Sequence, residues 1–120
     1  MDQDWMKKRT KDFAKRIIKL CRALPNARDA RLIGDQMFRA GTSVGANYRS
    51  ACRGRSRADF IAKLGITLEE ADECLYWLEI LAETKVVNAE RLKPLMREGD
   101  EIIAILVSSI NTAKSSKLRS

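Results

Sequence analysis

Apolar side chains recur along this chain at alternating steps of three and four residues, which is the spacing of one face of an α-helix. The clearest run consists of Ile61, Leu64, Leu68, Ala71, Leu75, Leu78 and Ala82. Such a run is typical of the seam between helices in a bundle. The period-two alternation of β-strands is not evident, so long amphipathic helices are predicted.

Four helices are predicted, over about residues 5–24, 28–53, 56–83 and 89–113. Pro25 ends the first helix, because proline disfavours the α conformation in the residue before it. Ser56 begins the third as the N-cap of a capping box with Asp59, and Asn88 caps the fourth. Pro94 either kinks the fourth helix or marks the start of its regular part. Short links between four helices predict one domain spanning the whole chain, an all-α, antiparallel up-down-up-down four-helix bundle.

The 120 residues carry a formal net charge of +7, and this charge is unevenly distributed. Residues 1–57 contain 15 Lys or Arg and 5 Asp or Glu, a net +10, whereas residues 58–120 contain 8 and 11, a net −3. The asymmetry predicts either a polyanionic partner or pairing of one half with the other. No apolar run approaches the ~20 residues of a membrane span, and the N-terminus lacks the apolar region of a secretory signal.

The residue types needed for metal and imidazole chemistry are missing or isolated. There is no histidine, and the cysteines Cys21, Cys52 and Cys74 form no C-x-x-C pair. A zinc or di-iron site is therefore not predicted, and a serine or cysteine nucleophile would lack its usual base. We expect small buried thiols in a reducing cytoplasm, no cofactor or metal, no small-molecule substrate and no enzymatic activity.

The segment GTSVGANYRSACRGRS, residues 41–56, contains two glycines four residues apart. This spacing is one residue too short for the phosphate loop G-x-x-x-x-G-K-[ST], and no lysine follows Gly45. A glycine inside a helix costs about 1 kcal/mol relative to alanine. Gly41 and Gly45 are therefore interpreted as a packing seam, which Trp77 or an aromatic side chain of another subunit would fill. Asn47 is expected in a buried or interface position, or alternatively at the rim.

The best candidate for nucleic-acid binding is a basic stripe on the first helix. Its members recur every three or four residues and are Lys8, Lys11, Lys15, Lys19 and Arg22. Arg9 and Arg16 flank the stripe, and Asp12 is the only acid in the predicted helix. Such a stripe can follow a phosphate backbone and gain affinity by counterion release, although a solvated helix face explains it as well. No aromatic side chain interleaves the stripe, so base stacking and sequence readout are not indicated.

A second basic cluster consists of Arg49, Arg53, Arg55 and Arg57. It either contacts phosphate or pairs, within one chain or between subunits, with carboxylates of the third helix. Those carboxylates are Glu69, Glu70, Asp72, Glu73, Glu79 and Glu83. Pairing is the preferred interpretation, because arginine suits bidentate carboxylate geometry. On the same helix, Tyr76 and Trp77 are candidates for helix packing or for a subunit boundary.

Residues 39–81, RAGTSVGANYRSACRGRSRADFIAKLGITLEEADECLYWLEIL, resemble the signature of the four-helix-bundle family named for the 23S ribosomal RNA intervening sequences. The matching positions are Arg39, Ser43, Asn47, Ser56, Phe60, Lys63, Leu64, Glu69 or Glu70, Tyr76, Trp77 and Leu78. Ser50 stands where many members of the family have a glutamate. The helix order agrees along the rest of the chain.

The resemblance implies a left-handed antiparallel bundle that assembles into a ring of five subunits. Members of the family are encoded within insertions in bacterial ribosomal RNA genes and elsewhere in genomes. They are similar to ring-forming accessory proteins of diversity-generating retroelements, which bind RNA and a reverse transcriptase. The partners that the resemblance implies are therefore further copies of the chain in a pentamer, an RNA and a reverse transcriptase.

The sequence supports two hypotheses for the function. The first is a non-catalytic, cytoplasmic, oligomeric bundle that binds RNA through its basic surface without strong sequence specificity. The alternative is a structural or adaptor ring that mediates protein–protein interactions and has no nucleic-acid role. Neither hypothesis involves a membrane.

Overall fold

The chain folds into four α-helices that pack as an antiparallel up-down-up-down bundle, which confirms the predicted fold class. The structure is a computed structural model that describes residues 2–119, with side chains for residues 2–116. The helices are α1 (Gln3–Ala23), α2 (Arg28–Cys52), α3 (Arg57–Glu83) and α4 (Ala89–Arg119). Each helix packs on the next in the chain, and α1 also touches α4.

Side-chain caps explain where three of the helices begin. Asp2 Oδ1 accepts a hydrogen bond from the Trp5 amide at 2.7 Å, so α1 starts two residues earlier than predicted. The Ser56 hydroxyl accepts from the Asp59 amide at 3.1 Å, as the capping box requires. At the start of α4, Asn88 Oδ1 accepts from the Glu90 amide at 2.8 Å. These bonds satisfy N–H groups that have no partner inside the helix.

The fourth helix is longer than predicted and is continuous through its proline. Pro94 lies in the second turn of α4 and does not separate a preceding turn from the regular helix. The predicted end near Ala113 is wrong, because α4 continues to Arg119. Neither glycine nor proline occurs after Ala113, so the backbone meets no helix breaker there.

The core contains the apolar faces of all four helices, and α2 is rotated slightly from its expected orientation. Fully buried members from the four helices include Phe13, Ile17, Met37, Val44, Leu64, Leu78, Ile102 and Leu106. On α2, Tyr48 is buried and Asn47 is only half-buried. The buried position expected for Asn47 within the chain is therefore wrong, and the residue lies at the rim of the core. The reason is that α2 turns its glycines toward α1, which carries Tyr48 into the core. An interface position for Asn47 stays a prediction.

Candidate nucleic-acid interface

Two glycines of α2 let its backbone approach α1 closely. A methyl group at Gly41 would lie 2.9 Å from Ile17 Cγ1 and Cγ2 and 3.1 Å from Cys74 Sγ. A methyl group at Gly45 would lie 3.3 Å from the carbonyl carbon and oxygen of Thr10, so the backbone of α1 occupies the space beside this glycine. The packing seam is thus present. The expectation that Trp77 fills it is wrong, because aliphatic, thiol and backbone atoms occupy the available volume.

An open groove of about 940 Å³ lies along the outer side of this seam. It is called the α1–α2 groove here, and its lining residues are Lys7, Lys8, Lys11, Thr42, Gly45, Ala46, Arg49, Ser50, Arg53 and Lys63. Six of the ten are Lys or Arg and none is Asp or Glu. The groove therefore concentrates positive charge from the starts of α1 and α3 and the end of α2.

Three of the six groove cations have acidic partners that lie outside the groove. Lys8 Nζ is 2.8 Å from Asp12 Oδ2, and this contact lowers the pKa of the Asp12 carboxyl. Lys63 Nζ lies 3.3 Å from Asp59 Oδ2. Lys7 Nζ lies 3.9 Å from an Asp4 carboxylate oxygen at the edge of α1. Every side chain in these pairs is about one-third or more exposed, so each ion pair contributes little.

The other three groove cations, Lys11, Arg49 and Arg53, make no ion pair with any described residue. Arg49 lies in the last turn of α2, and Arg53 is the residue that caps the end of this helix. Both are exposed, and Lys11 faces the groove from α1. Unpaired cations that converge on one groove can bind an anion without first breaking an internal contact.

The structure brings together part of the predicted site and adds two residues to it. Lys8, Lys11, Arg49 and Arg53 line the groove, as described above. The remaining predicted cations are exposed outside it and are Lys15, Lys19 and Arg22 along α1, with Arg55 and Arg57 near the start of α3. Lys7 and Lys63 were missed. Lys7 lies four residues before Lys11, a spacing that could have revealed it, whereas Lys63 joins the groove only through the packing of α3.

The α3 carboxylates pair with an arginine other than the predicted ones. Arg39 Nη1 lies 3.0 Å from Glu70 Oε2, and Arg39 also hydrogen-bonds Glu73. Trp77 Nε1 donates to Glu73 Oε2 at 3.1 Å. Both bonds lower the pKa of Glu73, the Arg39 bond more strongly. The preferred pairing with α3 carboxylates is therefore wrong within one chain for Arg49 and Arg53, because Arg39 is the arginine that lies opposite Glu70 and Glu73. Pairing between subunits stays a prediction.

A second arginine, Arg9, ties α1 to α4. Its Nε and Nη2 donate to the two carboxylate oxygens of Glu98, each at 2.7 Å, and Nη2 also hydrogen-bonds Glu101. These bonds lower the pKa of Glu98 and raise that of Arg9. The Arg9 guanidinium carbon lies 5.2 Å from the centroid of the Trp5 ring, in cation–π geometry. Arg9 is thus held in place and does not belong to the free cations.

The aromatic pair on α3 is partly exposed. The rings of Tyr76 and Trp77 meet edge-to-face with centroids 5.0 Å apart. Tyr76 is 52% exposed, whereas Trp77 is half-buried and packs against the core. Ile66 on the same helix is 47% exposed. The outer side of α3 therefore presents apolar surface next to the Arg39 bridges.

Two of the three cysteines, Cys21 and Cys74, lie in surroundings that disfavour the thiolate. Burial raises the pKa of Cys74 to about 12, and burial also raises the pKa of Cys21. The thiolate is the nucleophile and metal ligand, so a raised pKa disfavours both roles. Among the described residues, no three cysteine or acidic side chains are grouped to hold a metal ion. Over the same residues, none of the helices carries an apolar stretch that could span a bilayer.

Comparison with known proteins identifies the family of the chain. The family model described as 23S rRNA-intervening sequence protein matches residues 4–108. The chain belongs to this family. It is similar to a solved protein with unknown function from the S23 ribosomal protein family, from Bacteroides thetaiotaomicron VPI-5482. The two are 40% identical, with a TM-score of 0.86 and coverage of 92% of this chain and 99% of that one. No curated protein matches the chain.

The 23S rRNA-intervening sequence match includes every residue of the α1–α2 groove, since the groove lies within residues 7–63. The groove therefore belongs to the part of the chain shared with the family and is not an appended feature. The family description refers to a ribosomal RNA insertion, and the solved relative is described as having unknown function. Neither description assigns an enzymatic activity.

Proposed function

We propose that this protein is a non-catalytic, oligomeric bundle that binds RNA through the α1–α2 groove without strong sequence specificity. The observation that carries the proposal is a single groove lined by six cations and no carboxylate. A polyanion gains most from such a surface, because each neutralised phosphate releases bound counterions. Three free thiols are compatible with a reducing cytoplasm as the place of action.

The groove and its surroundings suit a nucleic-acid strand better than a small anion. The exposed cations Lys15, Lys19 and Arg22 continue along α1 from the groove, so positive charge extends over most of that helix. Thr42 lines the groove, and its hydroxyl donates to the Phe38 carbonyl at 2.8 Å. The Thr42 oxygen can therefore accept a hydrogen bond from a ribose 2′-hydroxyl, which DNA lacks.

The proposal is tested by reversing the three unpaired groove cations together, in Lys11→Glu, Arg49→Glu and Arg53→Glu. Binding is measured as fluorescence anisotropy of a labelled single-stranded RNA over a range of salt. If all six groove cations contact phosphates, the slope of log affinity against log salt is about −4 in wild type, since each contributes about 0.7. The triple variant should show a slope near −2 and an affinity at least about 100-fold lower at low salt.

A matched control separates the effect of the groove cations on RNA binding from the effect of the net charge. Arg91, Arg97 and Lys114 are exposed on α4 and lie outside the groove. Their simultaneous change to Glu alters the net charge by the same amount. We expect this control to retain the wild-type salt slope. Equal losses in both triple variants, or unchanged binding in the groove variant, would remove the groove from the RNA site.

A second candidate function is a structural or adaptor ring, favoured by the exposed apolar side chains on α3. We propose that Ile66, Tyr76 and Trp77 contact a second copy of the chain, with a pentamer as the expected assembly and a reverse transcriptase as the protein partner. Light scattering tests the assembly against the 13.6 kDa chain mass. Tyr76→Glu with Ile66→Glu should lower the measured mass to that of a monomer. An unchanged mass would show that this face lies outside the subunit contacts.

A further inference from the structure

The exposed indole of Trp5 lies on α1 one turn before the groove cation Lys8, on the flank of the helix that faces α4, and is not used by the phosphate contacts proposed above. Trp5 is 43% exposed, although tryptophan is a residue that proteins bury on average. It precedes the groove cation Lys8 by three residues on α1, so the two side chains are neighbours on the helix surface. The ring thus flanks the row of cations and does not interleave it, which is why the spacing along the sequence did not reveal it.

The indole rests on a fixed support. The Arg9 guanidinium lies 5.2 Å from its centroid, and that guanidinium is held by both oxygens of Glu98 and by Glu101. The Arg9 and Glu98 side chains are only about one-fifth exposed. An aromatic ring that is ordered before binding loses little conformational freedom when a ligand stacks on it. Trp5 therefore has the geometry of a preformed stacking platform.

We propose that Trp5 stacks on an unpaired nucleobase of a strand whose phosphates lie in the α1–α2 groove, so that the protein selects single-stranded over double-stranded RNA. The inference rests on the proposed function, because the groove must first hold the backbone. Stacking needs a base that is free of its own stack, and single strands supply one. It contributes affinity without sequence readout, since every base has a π-face.

The test compares two fluorescein-labelled 12-nucleotide strands of equal charge, one with bases and one abasic. Wild type should bind the strand with bases about 5- to 150-fold more tightly, the effect of stacking one base. Trp5→Ala should bind both strands with the affinity that wild type has for the abasic strand, with an unchanged salt slope, because no phosphate contact is lost. Trp5→Phe should retain most of the preference, since the aromatic face remains.

A direct signal comes from the indole itself. The chain has two tryptophans, so Trp77→Phe leaves Trp5 as the sole indole emitter. In this background the strand with bases should quench the emission, and the abasic strand should leave it nearly unchanged. Duplex RNA of the same length should quench less than the single strand.

The outcomes distinguish the two proposals. Equal affinity of wild type for both strands overturns the stacking role and leaves the groove in place. Equal loss of affinity for both strands in Trp5→Ala, or a change in its mass by light scattering, would make Trp5 a structural or subunit contact and also overturn it. Failure of wild type to bind either strand overturns the RNA-binding function together with this inference.

Discussion

The two sides of α2 are held to their neighbours in different ways. Toward α1, Gly41 and Gly45 bring the backbones together, and no ion pair among the described side chains joins the two helices. Toward α3, Arg39 bridges to Glu70 and Glu73. Arg39 therefore joins α2 to α3 through ion pairs. On the α1 side, Lys11, Arg49 and Arg53 make no ion pair with a described residue.

The unpaired cations also repel one another across the α1–α2 groove. Lys11, Arg49 and Arg53 gain no ion pair within the described residues, so internal salt bridges do not explain their presence. A group of cations that lacks internal partners is better explained by an external polyanion.

The largest effect is expected at the close approach of α1 and α2. Gly41→Ala should lower the free energy of unfolding by about 1–3 kcal/mol, because the β-branched Ile17 cannot move aside in a filled core. Gly65→Ala is the matched control. No atom lies within 4 Å of the added methyl group, so it should raise stability by up to about 1 kcal/mol. Urea unfolding measures both, and equal changes in the two variants would show that the seam is not tightly packed.

The next largest effect on stability is expected at the ion pairs between Arg9 of α1 and the carboxylates of α4. Glu98→Gln should lower stability by about 1–2 kcal/mol at pH 7, because the largely buried Arg9 loses a charged bidentate partner.

The pH dependence of this variant provides an independent check. The folded pKa of Glu98 is lowered by Arg9, so its stabilisation is present above the unfolded pKa of about 4.3 and is lost as pH falls through the folded pKa. The difference in thermal midpoint between wild type and variant should therefore shrink as the solution is acidified through this range. A difference that stays constant would contradict the role assigned to the charge.

A smaller loss is expected at the α2–α3 bridges. Arg39→Gln should lower the thermal midpoint by less than Glu98→Gln does, because Arg39 is about half exposed and water screens its ion pairs. The same variant should also raise the pKa of Glu73 toward its usual range, since the Arg39 bond is the larger cause of the present shift. NMR titration of the carboxyl carbon measures this directly, and an unmoved pKa would show that the bridge is absent in solution.

The smallest effect is expected in the groove itself. Arg49→Gln combined with Arg53→Gln should leave stability within about 0.5 kcal/mol of wild type, because neither side chain has an internal partner. Thermal unfolding alongside Arg39→Gln makes the comparison direct. A midpoint drop as large as that of Arg39→Gln would mean that the groove arginines support the fold, and the contrast between the two sides of α2 would fail.

Much of the fold could be predicted from local patterns, and about half of the groove could not. The caps at Ser56 and Asn88 and the apolar run of α3 depend on residues within a few turns, so the sequence contains their signals. The groove joins three helices. Lys8, Lys11 and the pair Arg49 and Arg53 are visible as separate basic segments, but no local pattern places Lys63 beside them or sets Arg9 against Glu98 of α4.

By itself, the sequence determined four helices, their order and their apolar faces, because the helical period and the capping residues act over one or two turns. Only the tertiary structure decided the rotation that buries Tyr48 in place of Asn47. It also decided that Arg39 is the arginine opposite the α3 carboxylates and that Arg49 faces solvent. Those outcomes depend on distances between helices, and the spacing of residues along a single helix does not contain that information.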